Sequence, residues 1–217
     1  MLEADADVGN GPRMSVRDVL HAFANTARKL DANDAGWETN NGTPAHDINY
    51  NYGFGAVDAH AAVEWVIDEG WRRALSEREI DSGVVSVDTD IPSNDSLSRT
   101  FTVQAGVAGN HLRVEHVEVT LNTSIVQVIG FGPGTTMTMG DLRVTILGPE
   151  INSTRTESLV ADFREGETAS AYEDVVFTTV RHWDEPAVGA WSVNLENQGA
   201  KPVMWKDLRL RIYGTPW

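Results

Sequence analysis

The amino-acid sequence predicts a mainly β protein with an N-terminal α-helical segment, and two patterns carry this prediction. From Val84 to the C-terminus, apolar residues alternate with polar ones in short runs, and clusters of glycine, proline and asparagine separate the runs. This pattern is typical of antiparallel strands in a β-sandwich or jelly roll. Before about residue 75, the apolar residues recur every three or four positions instead, which indicates helices.

Residues 1–75 predict two helices and the end of a third, and Met1–Ala4 is interpreted as the last turn of that third helix. Ser15 is a good N-cap, and Asp18 stands at the capping-box position three residues later. Asp58 is placed to cap the second helix. The predicted apolar faces are Val16, Val19, Leu20, Phe23 and Ala27 in the first helix, and Ala59, Ala62, Val63 and Val66 in the second. Arg28-Lys29 suit the C-terminal end of the first helix.

Half of residues 76–83 are charged and the stretch follows no pattern, so it predicts a linker between the helical segment and a sandwich over residues 84–217. Within the sandwich, each predicted strand places alternate apolar residues on one face. These sets are Phe101/Val103, Val117/Val119/Leu121, Leu142/Val144/Ile146, Trp191/Val193/Leu195 and Leu208/Leu210/Ile212.

The helical segment has apolar faces but no strands for them to cover. Burial contributes roughly 25 cal/mol per Å² of apolar surface only where something packs on that surface. Nothing within residues 1–75 is large enough to do so. We therefore expect either that the segment docks on the sandwich, or that the rest of its domain lies outside this sequence.

Composition excludes several classes of function. The formal net charge is −15, so the chain lacks the basic face that phosphate binding requires, and nucleic acid is not an expected partner. The absence of cysteine excludes disulfides, thiolate zinc sites and a cysteine nucleophile. No apolar run reaches the roughly 18 residues of a membrane helix, and the first residues lack the pattern of a signal peptide.

Gly53-Phe-Gly55 begins like a dinucleotide-binding fingerprint, with Asp58 nearby. The third glycine, the preceding strand and the βαβ unit are missing, so we interpret the stretch as a tight corner before the second helix. No serine lies in a nucleophile-elbow pattern, and a self-contained Ser/His/Asp triad is not expected.

Acidic residues cluster in two loops of the predicted sandwich. Asp88, Asp90 and Asp95 surround a proline turn, and Asp184-Glu185 follow Trp183. They are either solvated turn formers or ligands of calcium, which binds clustered carboxylates.

Two adjoining regions resemble consecutive parts of the kexin/furin-like branch of subtilisin-type serine proteases. Ser15-Val-Arg-Asp-Val-Leu20, Asp34-Ala-Gly-Trp37 and Tyr52-Gly-Phe-Gly-Ala-Val-Asp58 resemble the C-terminal end of the catalytic domain. Residues 84–217 resemble the P domain, also called Homo B, through Gly140-Asp-Leu142 and Arg181-His-Trp-Asp184 among others. The residues assigned to structural motifs are Tyr52, Gly53, Phe54, Gly55, Asp58, Gly140, Asp141, Leu142, Trp183, Trp191, Trp205, Tyr213 and Gly214.

The resemblance implies a calcium-dependent serine endopeptidase of the proprotein-processing type, secreted or located in a secretory compartment or the cell envelope. Residues 1–75 would then be the last helices of a subtilisin-like α/β domain, and the P domain would stabilise that domain. The resemblance places the catalytic triad upstream of Met1. No residue of this chain is therefore assigned as catalytic, metal-binding or cofactor-binding, and the chain alone is expected to be inactive. Its expected partner is the remainder of the catalytic domain.

The competing hypothesis is an autonomous β-sandwich module that binds a protein or a glycan. The two hypotheses differ in where apolar surface lies. A piece of a larger domain predicts exposed apolar surface on residues 16–27 and 59–66, whereas an autonomous module predicts that these helices are buried against its own sheets.

Overall fold

The computed structural model describes residues 14–68, 77–107, 109, 111–126 and 138–216. A helical segment with a small two-stranded sheet precedes two four-stranded sheets. The N-terminal elements are α1 (Val16–Thr26), β1 (Glu38–Thr39), β2 (Asp47–Ile48) and α2 (Ala59–Asp68). The sandwich contains β3 (Arg78–Ile91), β4 (Asp95–Val103), β5 (Leu112–Ile125), β6 (Leu142–Leu147), β7 (Glu157–Ala161), β8 (Ala171–Thr179), β9 (Gly189–Asn197) and β10 (Val203–Pro216), with a 3₁₀ turn at Met139–Asp141 before β6.

The two sheets have the strand orders β3-β10-β5-β8 and β4-β9-β6-β7, and all their pairings are antiparallel. The chain changes sheet at almost every connection, so sequential strands face each other across the core. The predicted fold class, mainly β with an N-terminal helical segment, is confirmed. Within the described ranges, no helix is long and apolar enough to cross a membrane.

The alternating residues that predicted the strands form the core of the sandwich. All of them are buried except Phe101, which is partly buried and packs against the same cluster. Trp191 and Trp205 are the largest fully buried side chains. The Trp191 indole N–H donates to the carbonyl of Ala187 at 2.8 Å, so burying this ring leaves its polar atom hydrogen-bonded.

The predicted linker is partly wrong, because residues 78–83 belong to strand β3. Between Asp81 and Val84, two residues of β3 stand opposite the single residue Leu210 of β10. This β-bulge contains Gly83 at φ 65°, and the Ser82 hydroxyl accepts a hydrogen bond from the Leu210 amide. A bulge shifts the alternation by one position, which hides the strand from a period-two pattern. The division into a catalytic remnant and a P domain stays a prediction.

Both predicted helix caps are confirmed. The Ser15 hydroxyl accepts from the Asp18 amide while Asp18 accepts from the Ser15 amide, and Asp58 accepts from the amide of Ala61 at 2.9 Å. Arg28-Lys29 lie beyond α1, which ends at Thr26, so their prediction as its C-terminal end is wrong. The prediction for Met1–Ala4 falls outside the described residues.

The apolar faces of the helices are only partly as predicted. Ala22, Ala62 and Val66 are buried where the two helices pack together. Val16 is 80% exposed and Leu20 is 52% exposed, because α1 is rotated so that other residues on it face α2 and the sandwich. Ala59 is also exposed.

We expect the core to respond strongly to loss of the Trp191 ring. Trp191→Ala should lower the free energy of unfolding by about 3–5 kcal/mol, since it removes a fully buried ring from a packed core. Urea denaturation followed by circular dichroism measures this change. The matched control is Val84→Ala, at a strand position that is 71% exposed, with an expected change below about 0.5 kcal/mol. Equal changes for the two variants would contradict the assigned core.

Candidate functional site

The motif residues predicted from the sequence fall into three places. Tyr52, Gly53, Phe54, Gly55 and Asp58 form a corner before α2. Gly140, Asp141, Leu142, Trp191, Trp205, Tyr213 and Gly214 belong to the sandwich itself. Trp183 lies in the turn between β8 and β9, where the sandwich meets the corner.

The corner is a tight backbone structure. Asn49 and Gly53 exchange two backbone hydrogen bonds, and Gly53 has φ 58°. Gly55 has φ 115°, and a β-carbon there would lie 2.3 Å from the carbonyl oxygen of Arg28. Only glycine fits that contact without moving the backbone. The interpretation as a structural corner, and not a phosphate loop, agrees with these contacts.

Several sandwich motif residues hold local geometry. The 3₁₀ turn begins with a capping box between Thr138 and Asp141, and a β-carbon on Gly140 would lie 2.2 Å from the Arg164 carbonyl oxygen. Tyr213 lies on the outer face of its sheet and stacks on His116, with ring centroids 4.3 Å apart. Burial, together with the neighbouring Glu118, raises the pKa of Tyr213. These contacts indicate structural roles.

A turn at residues 180–187, which we call the junction turn, connects the helical segment to the sandwich. Its residues Arg181, His182, Trp183, Asp184 and Glu185 are all buried. Charged side chains are buried only where partners compensate for the lost hydration. In the junction turn those partners come from both the N-terminal segment and the sandwich.

Asn40 uses its whole side chain to hold the backbone of the junction turn. Its amide nitrogen donates to the carbonyls of Arg181 and Trp183, at 3.1 and 2.8 Å. Its amide oxygen accepts from the amides of Gly42 and His46, at 3.1 and 2.8 Å. One buried side chain thereby fixes both the loop and the turn.

Two carboxylates of the junction turn are paired in the interior. Asp184 Oδ2 lies 2.9 Å from His46 Nε2, and both side chains are buried. Glu185 Oε2 lies 3.0 Å from His182 Nδ1, and neither side chain is exposed. The other oxygen of Glu185 accepts from the Thr156 hydroxyl and from the Asn41 amide. These pairs replace the water that the carboxylates lose on burial.

A further buried carboxylate, Glu115 on β5, faces helix α1. Arg17 donates to both of its oxygens, and His21 Nε2 lies 3.0 Å from Oε1. Burial would raise the pKa of Glu115, but the hydrogen bonds from His21 and Arg17 outweigh this and hold the pKa below its usual value.

Aromatic rings fill the space between these polar pairs. Phe54 of the corner packs edge-on against both Trp183 and His46, with centroids 5.7 and 5.8 Å apart. The His21 ring on α1 also contacts the Trp183 ring, with ring centroids 4.9 Å apart. Trp183 therefore joins α1, the corner and the sandwich, as an anchor in a packed interface.

The junction does not have the arrangement of a catalytic triad. In a triad the imidazole contacts the nucleophilic hydroxyl, and the carboxylate lies behind the imidazole. At the junction turn the carboxylate of Glu185 lies between the Thr156 hydroxyl and the His182 imidazole, and His182 is inaccessible. The geometry suits a structural interface.

The acidic loops do not form a calcium site in the part of the chain that the structure describes. No three histidine, aspartate or glutamate side chains there come together in a way that fits a metal ion. Asp184 and Glu185 pair with histidines instead, and Asp88 accepts from the hydroxyl of Ser86. These residues therefore do not fit the calcium that the resemblance implies, and we derive no role for calcium from them.

A family comparison matches residues 133–207 to the proprotein convertase P-domain. This part of the sandwich is therefore similar to a P domain of this type. Over 207 residues the chain is 26% identical to a dibasic-processing endoprotease of Yarrowia lipolytica, covering 94% of this chain and 19% of that protein. It is also 26% identical to rat furin over 181 residues, covering 83% of the chain and 21% of furin. The chain is thus similar to a C-terminal part of kexin/furin-like proteases, and spans about a fifth of the relatives' length.

A solved structure shows the same fold over almost the whole chain. It is the serine protease of Aeromonas sobria in complex with a chaperone, with a TM-score of 0.70 and 16% identity, and the match covers 95% of this chain and 41% of that one. The fold formed by the helical segment and the sandwich therefore also occurs in that solved structure.

Sequence reasoning missed the residues on the N-terminal side of the junction. Asn40, Asn41 and His46 lie in a turn-rich loop without periodicity, and His21 lies on α1 outside the predicted apolar face. The only available signal was the excess of polar residues around a loop that also carries aromatic side chains. Their hydrogen-bond partners across the junction lie 94 to 144 residues further along the chain, so no local pattern links them.

The Glu115 cluster predicts a specific acid dependence of stability. Because folding lowers the pKa of Glu115, its stabilising contribution is complete above the unfolded value of about 4.3 and is lost as the pH falls through the folded value. Glu115→Gln should lower the free energy of unfolding by about 2 kcal/mol at pH 7, with the difference shrinking towards pH 3. Urea denaturation at a series of pH values measures this. A difference that persists unchanged at pH 3 would contradict the assignment.

We expect Asn40→Asp, which introduces a charge while keeping the shape of the side chain, to destabilise the fold. Asn40→Asp replaces the two donated hydrogen bonds by repulsion between a carboxylate and two buried carbonyls, so we expect a loss of about 3 kcal/mol of unfolding free energy. Asn51→Asp, at an exposed position of the corner, is the matched control, with an expected change below about 0.5 kcal/mol. If denaturation shows Asn40→Asp as stable as this control, the role given to Asn40 is wrong.

Proposed function

We propose that this chain acts as the C-terminal part of a kexin-like serine endopeptidase that processes proproteins, with the P domain stabilising the catalytic domain. The observation that carries the proposal is the junction itself. A sandwich of P-domain type meets the helical segment through buried pairs such as Asp184 with His46 and Glu115 with Arg17. Such pairs favour one fixed arrangement of the two parts, because separating them leaves charges without partners in the interior.

The second observation supporting the proposal is exposed apolar surface on the helical segment. Val16 and Leu20 on α1 stay exposed, and Val57 before α2 and Ile67 on α2 are 55% and 48% exposed. An autonomous module is expected to cover such residues with its own sheets, whereas a larger subtilisin-like domain supplies further structure to cover them. The competing hypothesis, an autonomous module binding a protein or a glycan, is therefore not favoured.

Further features of the whole protease are part of this proposal. The name of the Yarrowia lipolytica relative leads us to propose cleavage after paired basic residues. The furin relatives lead us to propose a secreted protein or one of a secretory compartment or cell envelope. Catalysis by a Ser/His/Asp triad is assigned to residues outside this chain, and the described residues give calcium no binding site.

The proposal is tested by comparing this chain with the product of its full transcript. We expect the transcript to encode, in frame and upstream, a Gly-Thr-Ser-like segment about a helix length before Met1. The longer product should hydrolyse a fluorogenic dibasic peptide, and the chain alone should not. A serine-directed inhibitor should abolish the activity of the longer product. Hydrolysis by the chain alone, or a transcript without the upstream segment, would overturn the proposal.

A further inference from the structure

Arg28 and Lys29 form a pair of basic residues directly after α1, and both side chains are exposed. Under the proposed function, on which this inference rests, such a pair is the sequence that the whole protease cleaves. Its own chain therefore carries a potential substrate. The peptide bond that would be hydrolysed is the one between Lys29 and Leu30.

The backbone around this bond is hydrogen-bonded on both sides. Arg28 and Ala56 exchange two backbone hydrogen bonds, with N–O distances of 3.0 and 2.9 Å. On the other side of the bond, the Trp37 indole N–H donates to the carbonyl of Leu30 at 3.1 Å. The Lys29 ammonium lies 3.0 Å from Asp47.

These contacts prevent an endoprotease from binding this segment in the way it binds a peptide substrate. A bound substrate is commonly held as an extended strand whose amide and carbonyl groups pair with the enzyme. Here the amide and carbonyl of Arg28 are already paired with Ala56, and the Lys29 side chain is paired with Asp47. Cleavage therefore requires local opening of the corner, and its rate follows the population of the open state.

Gly55 is the residue that permits this closed arrangement. It precedes Ala56 and holds φ 115°, and a β-carbon at this position would lie 2.3 Å from the Arg28 carbonyl oxygen. A side chain at position 55 would therefore disrupt the backbone hydrogen bonds between Arg28 and Ala56. Gly53 differs, because a β-carbon there would meet nothing within 4 Å.

We propose that Arg28-Lys29 is a concealed cleavage site for a dibasic-specific endoprotease, closed by the pairing of Arg28 with Ala56 and opened when that pairing breaks. Hydrolysis adds one water across the Lys29–Leu30 amide, giving a carboxylate on Lys29 and an amine on Leu30. The cut separates α1, with its contacts to Glu115, from the corner. The corner thus protects the junction from the activity of the chain's own family.

The test is proteolysis of the whole chain by an added kexin-type endoprotease that cleaves after paired basic residues. The sequence contains a second pair, Arg72-Arg73, so all variants carry Arg73→Gln, and intact-mass spectrometry identifies the cut. The native chain should resist cleavage at Lys29–Leu30. Gly55→Ala should be cut there at least about tenfold faster, since the open state becomes more populated.

Two variants make the result specific. Gly53→Ala keeps a glycine-to-alanine change at positive φ in the same corner but adds no clash, and should resist cleavage like the parent. Gly55→Ala combined with Lys29→Gln removes the basic residue before the bond, and should not be cut at this position. If Gly55→Ala does not fold, the parent is digested in increasing urea. The cut should then appear before the loss of the β-sheet circular-dichroism signal.

Three outcomes overturn the inference: rapid cutting of the native chain at Lys29–Leu30, equal cutting of the Gly53→Ala and Gly55→Ala variants, or no cut there in either Gly55→Ala or partly denatured protein. Because the protease is added separately, these results do not depend on whether the parent protein is itself a protease. A failure here leaves the transcript and activity test of the proposed function unaffected, and the two failures are distinguishable.

Discussion

The burial of charged side chains at the junction turn is the constraint on which the rest of the structure depends. Asp184 and Glu185 are buried in the turn between β8 and β9. An unpaired buried carboxylate is strongly destabilising, so each must find donors nearby. The sandwich supplies His182 and Thr156, and the N-terminal segment supplies His46 and the Asn41 amide. The sandwich is therefore completed by residues that precede it in the chain.

This dependence explains why two parts of different secondary structure are held in one fixed arrangement. Apolar packing alone tolerates rotation between two surfaces, whereas hydrogen bonds between buried groups require specific distances and angles. The Asn40 side chain, with partners on both its oxygen and its nitrogen, is the clearest case. A rigid connection suits a domain whose proposed role is to support a larger one.

The helices and the sandwich show which parts of the structure can be predicted from local sequence. The strands with uninterrupted alternation and both helix caps were predictable, since period-two burial and capping depend on neighbours only a few residues apart. The start of β3 was not, because the bulge at Gly83 breaks the alternation. The apolar face of α1 was predicted only in part, since Val19 and Phe23 pack against the helix–helix cluster whereas Val16 is exposed. Helical spacing identifies a face, and only the packing partners decide whether that face is buried.

The sequence by itself determined the fold class, the resemblance to kexin/furin-like proteases and the role of Gly53-Phe-Gly55 as a corner, because each rests on local pattern. The tertiary structure alone decided that the corner covers Arg28-Lys29 through Ala56, and that Trp183 anchors the junction. It also decided that Glu115 meets α1, and that the acidic residues after Trp183 pair with histidines. These contacts join residues that lie far apart in sequence. Their geometry arises only when the helical segment and the sandwich are folded together, so no local pattern encodes it.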